Sequence, residues 1–267
     1  MLRILFSFFG LEFGLSVFLG CFAVAGASQV DEIVSKSNLA AYYKGQDGKA
    51  FVKMTITDSQ GRTRRRQFII LRKDIEDGGE QKFYVYFKLP ADIRNTVFMV
   101  WKHLKKDDDR WLYLPGLDLV KRIAASDKRT SFVGSHFFYE DVSGRGIDED
   151  QHELIKTTDK FYVLKNTPKT PGNVEFSHYL VWVDRRNYLP MKAEYFDKNK
   201  KKYRVAEALE VKTIQGHPTV TKAKMADLNA KGFTVSEFSN VRYDLGIDES
   251  IFTERYLRRP PRKWLKN

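Results

Sequence analysis

The sequence predicts a mainly β fold with a few helices, in which about eleven antiparallel strands form a half-open barrel around helices and a lid loop. Apolar and polar residues alternate along many segments, as at residues 83–89, and this period is typical of strands. Short polar clusters such as residues 58–61 separate the segments and favour hairpin connections. Two segments, residues 97–101 and 111–114, are apolar on both faces. A second layer must therefore cover part of the sheet.

A short helix is predicted before the strands, from Asp31 to about Tyr43. Its apolar residues fall near one face, and its acidic residues lie at the positive end of the helix dipole. Strand patterns then recur as far as residues 233–243 without a linker or an internal repeat, which indicates a single domain. The least strand-like stretch is residues 120–146, which is rich in Ser, Gly, Lys and Arg with interspersed aromatic residues. We predict that this stretch forms the lid.

Residues 1–27 have the pattern of a secretory signal peptide. Arg3 precedes a run that is almost wholly apolar, and the small residues Ala25-Gly26-Ala27 suit signal peptidase, so we predict cleavage after Ala27. A membrane anchor is the alternative, although Glu12 would then lie near the middle of the span at a cost of a few kcal/mol. Cleavage would leave residues 28–267 as a single β domain with a basic tail at residues 258–267.

Cys21 is the only cysteine, and it lies within the predicted signal peptide. Lipidation of Cys21 is an alternative to cleavage after Ala27, but apolar residues follow it where a lipidated cysteine normally begins a polar tether. Cleavage would produce a mature domain without thiols. Disulfides, cysteine nucleophiles and thiolate metal sites are then excluded together.

The formal net charge is +12. In an exported, periplasmic protein this balance favours anionic lipid head groups or an acidic protein partner over nucleic acid, and it allows peripheral contact with a membrane. A solvated basic surface that serves only solubility is the alternative interpretation. The sequence does not decide between them.

No catalytic motif is found, so we predict that the protein is not an enzyme and uses no cofactor. The five histidines are far apart and have no metal-ligand spacing, which predicts no metal site. Gly134-Ser135 lacks the glycine after the serine that a hydrolase nucleophile turn requires.

Aromatic residues make up 14% of the chain, and many occur on strands that are apolar on both faces. They would form either an ordinary filled core or a cavity that accepts acyl chains, and both interpretations remain open. Lys121 and Arg122 lie near the predicted mouth of such a cavity, where they would contact anionic head groups or an acidic partner. The candidate cavity and lid residues are Phe98, Trp101, Trp111, Tyr113, Phe132, Phe137, Phe138 and Trp182.

Four sequence blocks occur in a characteristic order: Trp111-Leu112-Tyr113-Leu114-Pro115, Val120-Lys121-Arg122-Ile123, Ser131-Phe132-Val133-Gly134-Ser135 and Tyr139-Glu140-Asp141. In these blocks the chain resembles the outer-membrane lipoprotein-sorting family with the LolA-like fold. The resemblance covers about residues 30–257, and it is to the exporter-associated branch of the family.

This resemblance implies a half-open β-barrel wrapped round helices, with an apolar cavity that shields lipid in transit across the periplasm. It also implies an acylated lipid or lipoprotein as cargo and an inner-membrane exporter of the resistance-nodulation-division type as a partner. The identity of the cargo does not follow, because the founding lipoprotein carrier belongs to another branch. An envelope sensor or accessory subunit of an exporter, built on the same fold, is the alternative function.

Overall fold

The computed structural model describes residues 28–266, which form one antiparallel sheet with helices on its surface. The strands are β1 (Asp47–Thr57), β2 (Thr63–Asp74), β3 (Gln81–Leu89), β4 (Val97–Lys102), β5 (Asp109–Leu114), β6 (Leu119–Arg122), β7 (Asp150–Thr157), β8 (Phe161–Pro168), β9 (Phe176–Asp184), β10 (Pro190–Asp197), β11 (Lys202–Ile214), β12 (His217–Asp227) and β13 (Gly232–Tyr243). The α-helices are α1 (Gln29–Tyr42), α2 (Glu140–Ser143) and α3 (Glu254–Arg258).

The strands follow the order β6-β5-β4-β3-β2-β1-β13-β12-β11-β10-β9-β8-β7, so β6 and β7 end the sheet within the described residues. The mainly β, half-open architecture is confirmed, but the sheet has 13 strands rather than about eleven. β6 was missed because three of its four residues are exposed and show no apolar alternation. The sequence pattern therefore placed most of this strand in the lid.

Helix α1 begins where a capping box satisfies its first backbone amides. The Ser28 side chain accepts from the Asp31 amide, and the Asp31 carboxylate accepts from the Ser28 amide. Ile33 and Val34 are buried on the side of the helix that faces the sheet, where they pack against residues of β8 and β9. The predicted helix is thus present, beginning two residues earlier than expected.

The strands β1–β5 bury residues on both faces, whereas the sequence predicted this only for β4 and β5. Phe98 pairs with Leu112 on one face, whereas Met99 pairs with Trp111 on the other. We call the first the inner face, because α1 and the segment between β6 and β7 lie on it. The opposite, outer face is covered by residues 244–266.

The C-terminal residues are held on the outer face by both packing and hydrogen bonds. Trp101 Nε1 donates to the Phe252 carbonyl at 2.8 Å, and Tyr84 Oη donates to the Tyr256 carbonyl at 2.7 Å. Leu257 and Leu265 are buried in the same cluster. Residues 258–266 of the predicted basic tail therefore include a segment that packs on the sheet.

The segment that joins the two end strands, residues 123–149, crosses the inner face, and we call it the crossing segment. It corresponds closely to the predicted lid. The predicted signal peptide, residues 1–27, and Cys21 within it lie outside the described residues. Within residues 28–266, no helix has the length and apolar character needed to span a membrane.

Candidate functional site

Two adjoining pockets lie on the inner face. Pocket A, of about 360 Å³, is bounded by β1, β2, β3, β12, β13, the start of β10, and the end of α1 with the loop that follows it. Pocket B, of about 350 Å³, lies between α1, the crossing segment and strands β7–β12. The two pockets share Ala41, Tyr42, Pro190, Val220 and Ala223, so the end of α1 stands between two parts of one depression.

Small side chains on neighbouring strands leave the space for these pockets. Ala206 and Ala208 of β11 line pocket B, and Ala223 of β12 pairs with Ala208 and lines both pockets. Because side chains alternate along a strand, alanines spaced by two residues remove bulk from one face only. Ala226 lies on the same strand as Ala223 but outside both pockets.

The two pockets differ in their charged residues. Pocket A is lined by three basic residues, Lys44, Lys49 and Arg72, and by no acidic one within the described residues. Pocket B carries both signs, including Glu140 and Arg145. Burial raises the pKa of Tyr42, which stands between the pockets, so its hydroxyl remains neutral at physiological pH.

The other half of the inner face is filled rather than open. Phe132 of the crossing segment is 2% exposed. Its ring centroid lies 6.2 Å from that of Phe68, 5.7 Å from Phe87 and 5.5 Å from Phe98. Aromatic rings at these separations stabilise each other beyond simple area burial. Phe132 therefore fastens the crossing segment to the aromatic half of the sheet.

Ion pairs that are wholly or partly buried hold the rest of the crossing segment. Arg129 donates to Glu175 from Nε and Nη2, each at 2.7 Å, and also binds Glu140. Partial burial acts to raise the pKa of Glu175, but the hydrogen bond and charge of Arg129 outweigh it and lower this pKa to about 2. The pair therefore stays ionised near neutral pH.

A second ion pair joins the crossing segment to β11. Arg204 is 2% exposed and pairs with Asp141, and its guanidinium lies 4.0 Å from the centroid of the Phe138 ring. Arg145 binds Asp150 of β7 in the same region, with Nε 2.9 Å from Oδ2. Moving the segment away from the sheet requires these charges to separate or to be rehydrated.

The predicted aromatic residues divide among four places. Phe137 lines pocket B, and Phe138 lies beside it, against Arg129 and Arg204. Phe98 and Phe132 belong to the filled half of the inner face.

Four other predicted aromatic residues lie away from the pockets. Trp101, Trp111 and Tyr113 face the C-terminal segment on the outer face, with the two tryptophan rings 5.0 Å apart. Trp182 pairs with Lys192, whose Nζ lies 5.0 Å from the centroid of its ring. Strands that are apolar on both faces are explained here by two separate cores, one on each side of the sheet.

Lys121 and Arg122 lie on β6, at the end of the sheet, and both are exposed. Arg122 pairs with Asp109 and lies over the Trp111 ring, which is on the outer-face side of β5. Neither basic residue lines pocket A or pocket B.

Ser135 and His136 are engaged in fixing the crossing segment. The Ser135 hydroxyl accepts from the Phe137 amide, and His136 Nδ1 lies 2.8 Å from Thr234 Oγ1 on β13. Within residues 28–266 no group of histidines and acidic residues has an arrangement that would hold a metal ion.

Sequence reasoning missed most of the pocket lining, including Tyr42, Lys44, Leu189, Val220 and Phe238. A usable signal was present in the alternation of β11 and β12. Ala206, Ala208 and Ala223 line pocket B there, and Ala193 of the neighbouring strand β10 pairs with Ala206. An open volume is expected above such small residues.

The similarity to known proteins covers most of the chain. Residues 79–259 match a family model that is described as an uncharacterized protein. A DUF1329 family protein from Desulfovibrio piger has 29% identity and a TM-score of 0.78, over 85% of this chain and 96% of that chain. A domain assigned to the outer membrane lipoprotein-sorting proteins, from Vibrio parahaemolyticus, has 26% identity and a TM-score of 0.76, over 84% of this chain and 97% of that chain.

A LolA superfamily protein from Nitrosomonas europaea shares the fold. It has 18% identity and a TM-score of 0.66, over 85% of this chain and 98% of that chain. The comparison with curated proteins gave no match.

Proposed function

Because the chain belongs to the LolA-like family of outer-membrane lipoprotein-sorting proteins, we propose that it is an envelope carrier that holds the acyl chains of a lipid or lipoprotein. The observation that carries the proposal is the pair of adjoining pockets on the inner face, which share five lining residues. Most of the lining of pocket A is apolar, so acyl chains would gain about 0.8 kcal/mol for each methylene they bury. A carrier of this kind binds and releases its cargo and forms no covalent bond.

The crossing segment would control access to the pockets. It lies over the inner face and is held by ion pairs at Arg129, Arg145 and Arg204. Charged groups that separate can pair with water or with a partner's charges instead, at little net cost in free energy. The apolar contacts of the Phe132 cluster have no such replacement. Opening would therefore begin at pocket B, while the aromatic half remains packed.

The place of action would be the periplasm, reached through export on residues 1–27. The exposed basic residues Lys121 and Arg122 on the edge strand would contact anionic head groups or an acidic surface of a membrane partner. An inner-membrane exporter of the resistance-nodulation-division type is the partner that the family resemblance implies.

The test compares two enlarged alanines on one strand. Ala223→Leu would fill the wall shared by both pockets, and Ala226→Leu adds the same atoms outside them. The full chain is expressed with its leader, purified from the envelope without detergent, and its bound lipid is extracted and measured by mass spectrometry. We expect bound lipid in the parent protein and in Ala226→Leu, and at least a fivefold reduction in Ala223→Leu.

Equal lipid content in both variants would contradict the carrier proposal, because the pockets would then not be the binding site. Absence of lipid from all three proteins, together with no transfer of labelled lipid between vesicles, would also contradict it. Recovery of a stoichiometric membrane partner in that case would support the sensor or accessory-subunit function.

A further inference from the structure

Lys44 is a basic residue buried beside pocket A without a partner. The residue is 9% exposed and lines the pocket, yet its Nζ has no hydrogen-bond or ion-pair partner within residues 28–266. Its Nζ is not sealed from solvent. Burial, together with the like charge of Arg72, lowers the pKa of Lys44 to about 8. An unpaired buried ammonium is unfavourable, and an anion that enters the pocket would relieve this cost.

The backbone around Lys44 is rigidly held. The Arg72 guanidinium donates to the carbonyls of Lys44 and Gly45 at 2.6 and 2.7 Å and also to that of Tyr42. Gly45 has a φ of +62°, and a Cβ at this position would come within 2.7 Å of the Asp244 carboxylate. These contacts hold the backbone of the loop between α1 and β1 at Lys44.

The other cations of pocket A are already engaged. Arg72 binds three backbone carbonyls and lies 3.3 Å from Asp74, and Lys49 Nζ donates to the Lys266 carbonyl. Lys44 is thus the basic group of this pocket whose charge is left for a ligand. The apolar residues Ile70, Phe83 and Val220 line the same pocket.

We propose that pocket A binds an amphiphile with an acyl chain and an anionic head group, whose carboxylate or phosphate pairs with the Lys44 ammonium. The proposal rests on the carrier function proposed above and narrows its cargo. An acylated lipoprotein terminus brings no carboxylate or phosphate at its lipid, so it would leave Lys44 unpaired. A fatty acid or a phospholipid supplies the missing anion.

The test uses three ligands with the same chain and different heads: dodecanoate, dodecyl phosphate and dodecanol. Binding to the delipidated mature protein is measured at pH 7 by displacement of a fluorescent probe. We expect at least one anion to bind about tenfold to a hundredfold more tightly than dodecanol. Lys44→Met should abolish this preference, and its dodecanol binding reports whether the pocket itself is kept. Lys44→Arg should retain the preference.

Lys53→Met is the matched control, because Lys53 is an exposed lysine of β1, the strand that follows Lys44, and lies outside both pockets. It removes the same charge and should behave as the parent protein. The anion that binds more tightly to the parent protein identifies the class of its natural ligand. Tighter binding of dodecanoate indicates a fatty acid, and tighter binding of dodecyl phosphate indicates a phospholipid.

Two results would overturn the assignment of Lys44 while the carrier function stands. One is equal affinity of the parent protein for all three ligands, and the other is an anion preference that survives Lys44→Met. Failure of the parent protein to bind any of the ligands would overturn both proposals.

Discussion

Replacement of Lys44 by methionine is expected to stabilise the ligand-free protein. The ordinary lysine pKa of 10.5 falls to about 8 in the fold, and at 1.36 kcal/mol per pH unit this difference corresponds to a cost of about 3 kcal/mol for the buried charge at pH 7. Methionine has a flexible, unbranched side chain of comparable length and no charge, so it can fill the same space without this cost. We expect Lys44→Met to raise the free energy of unfolding by about 2 to 3 kcal/mol at pH 7.

The pH dependence separates this effect from a gain in packing. Below pH 8 the lysine is charged in both the folded and the unfolded chain, and the fold bears the full cost. Between about pH 8 and 10.5 the folded protein releases the proton while the unfolded chain keeps it, so the stability of the parent protein rises relative to that of the variant. The difference between the two proteins should therefore shrink as the pH is raised from 7 to 10.

Urea unfolding followed by tryptophan fluorescence measures both quantities, with Lys53→Met again as the control. A variant that is less stable than the parent protein at pH 7 would refute the reasoning. A stability difference that does not change between pH 7 and pH 10 would also refute it, because the gain would then come from packing alone.

Three further predictions concern the crossing segment. Arg204→Met should lower the free energy of unfolding by about 3 kcal/mol in urea denaturation, because it leaves the Asp141 carboxylate unpaired. Adding Asp141→Leu to this variant should recover part of the loss. If the effects of the two substitutions simply add, the coupling between Arg204 and Asp141 is contradicted. Glu175→Gln should cost about 1 kcal/mol at pH 7, a value reduced by solvent screening because the side chain is 42% exposed. The pairing of Glu175 with Arg129 contributes fully to stability above about pH 4.5, and this contribution is lost as the pH falls towards 2. The difference in the free energy of unfolding between Glu175→Gln and the parent protein should therefore vanish in acid. A difference that stays constant with pH would contradict the role given to this pair. Phe132→Ala should cost about 3 to 5 kcal/mol in the same assay, and a loss below 1 kcal/mol would show that the inner face does not depend on this ring.

Much of the fold could be predicted from local patterns. The alternation along strands such as β3 indicates which residues lie on each face of the sheet, and Asp31, Glu32 and the apolar face of α1 indicate a helix. The edge strand β6 could not be found in this way. Edge strands are exposed, so the four residues of β6 show no apolar alternation, although β6 pairs with β5 across a short connection.

The candidate site was harder to predict, because aromatic residues fill space and do not create it. Phe98 and Phe132 close the inner face over β2–β5, and Trp111 belongs to a second core beneath the C-terminal segment. No local pattern revealed that residues 244–266 return to cover the outer face. Strands that are apolar on both faces could therefore be interpreted as the walls of a cavity, whereas in the structure each face borders a filled core.

The inner face thus combines two kinds of order with different consequences for function. The aromatic half around Phe132 is close-packed, so any void introduced there costs stability directly. The alanine half around Ala208 and Ala223 leaves volume open, and the unpaired ammonium of Lys44 stands at one side of that volume at a cost to the empty protein. A ligand that fills the volume and neutralises the charge stabilises the folded state by both effects. For that reason, anionic amphiphiles should raise the melting temperature of the parent protein more than that of Lys44→Met, whereas an uncharged amphiphile of equal chain length should raise both alike.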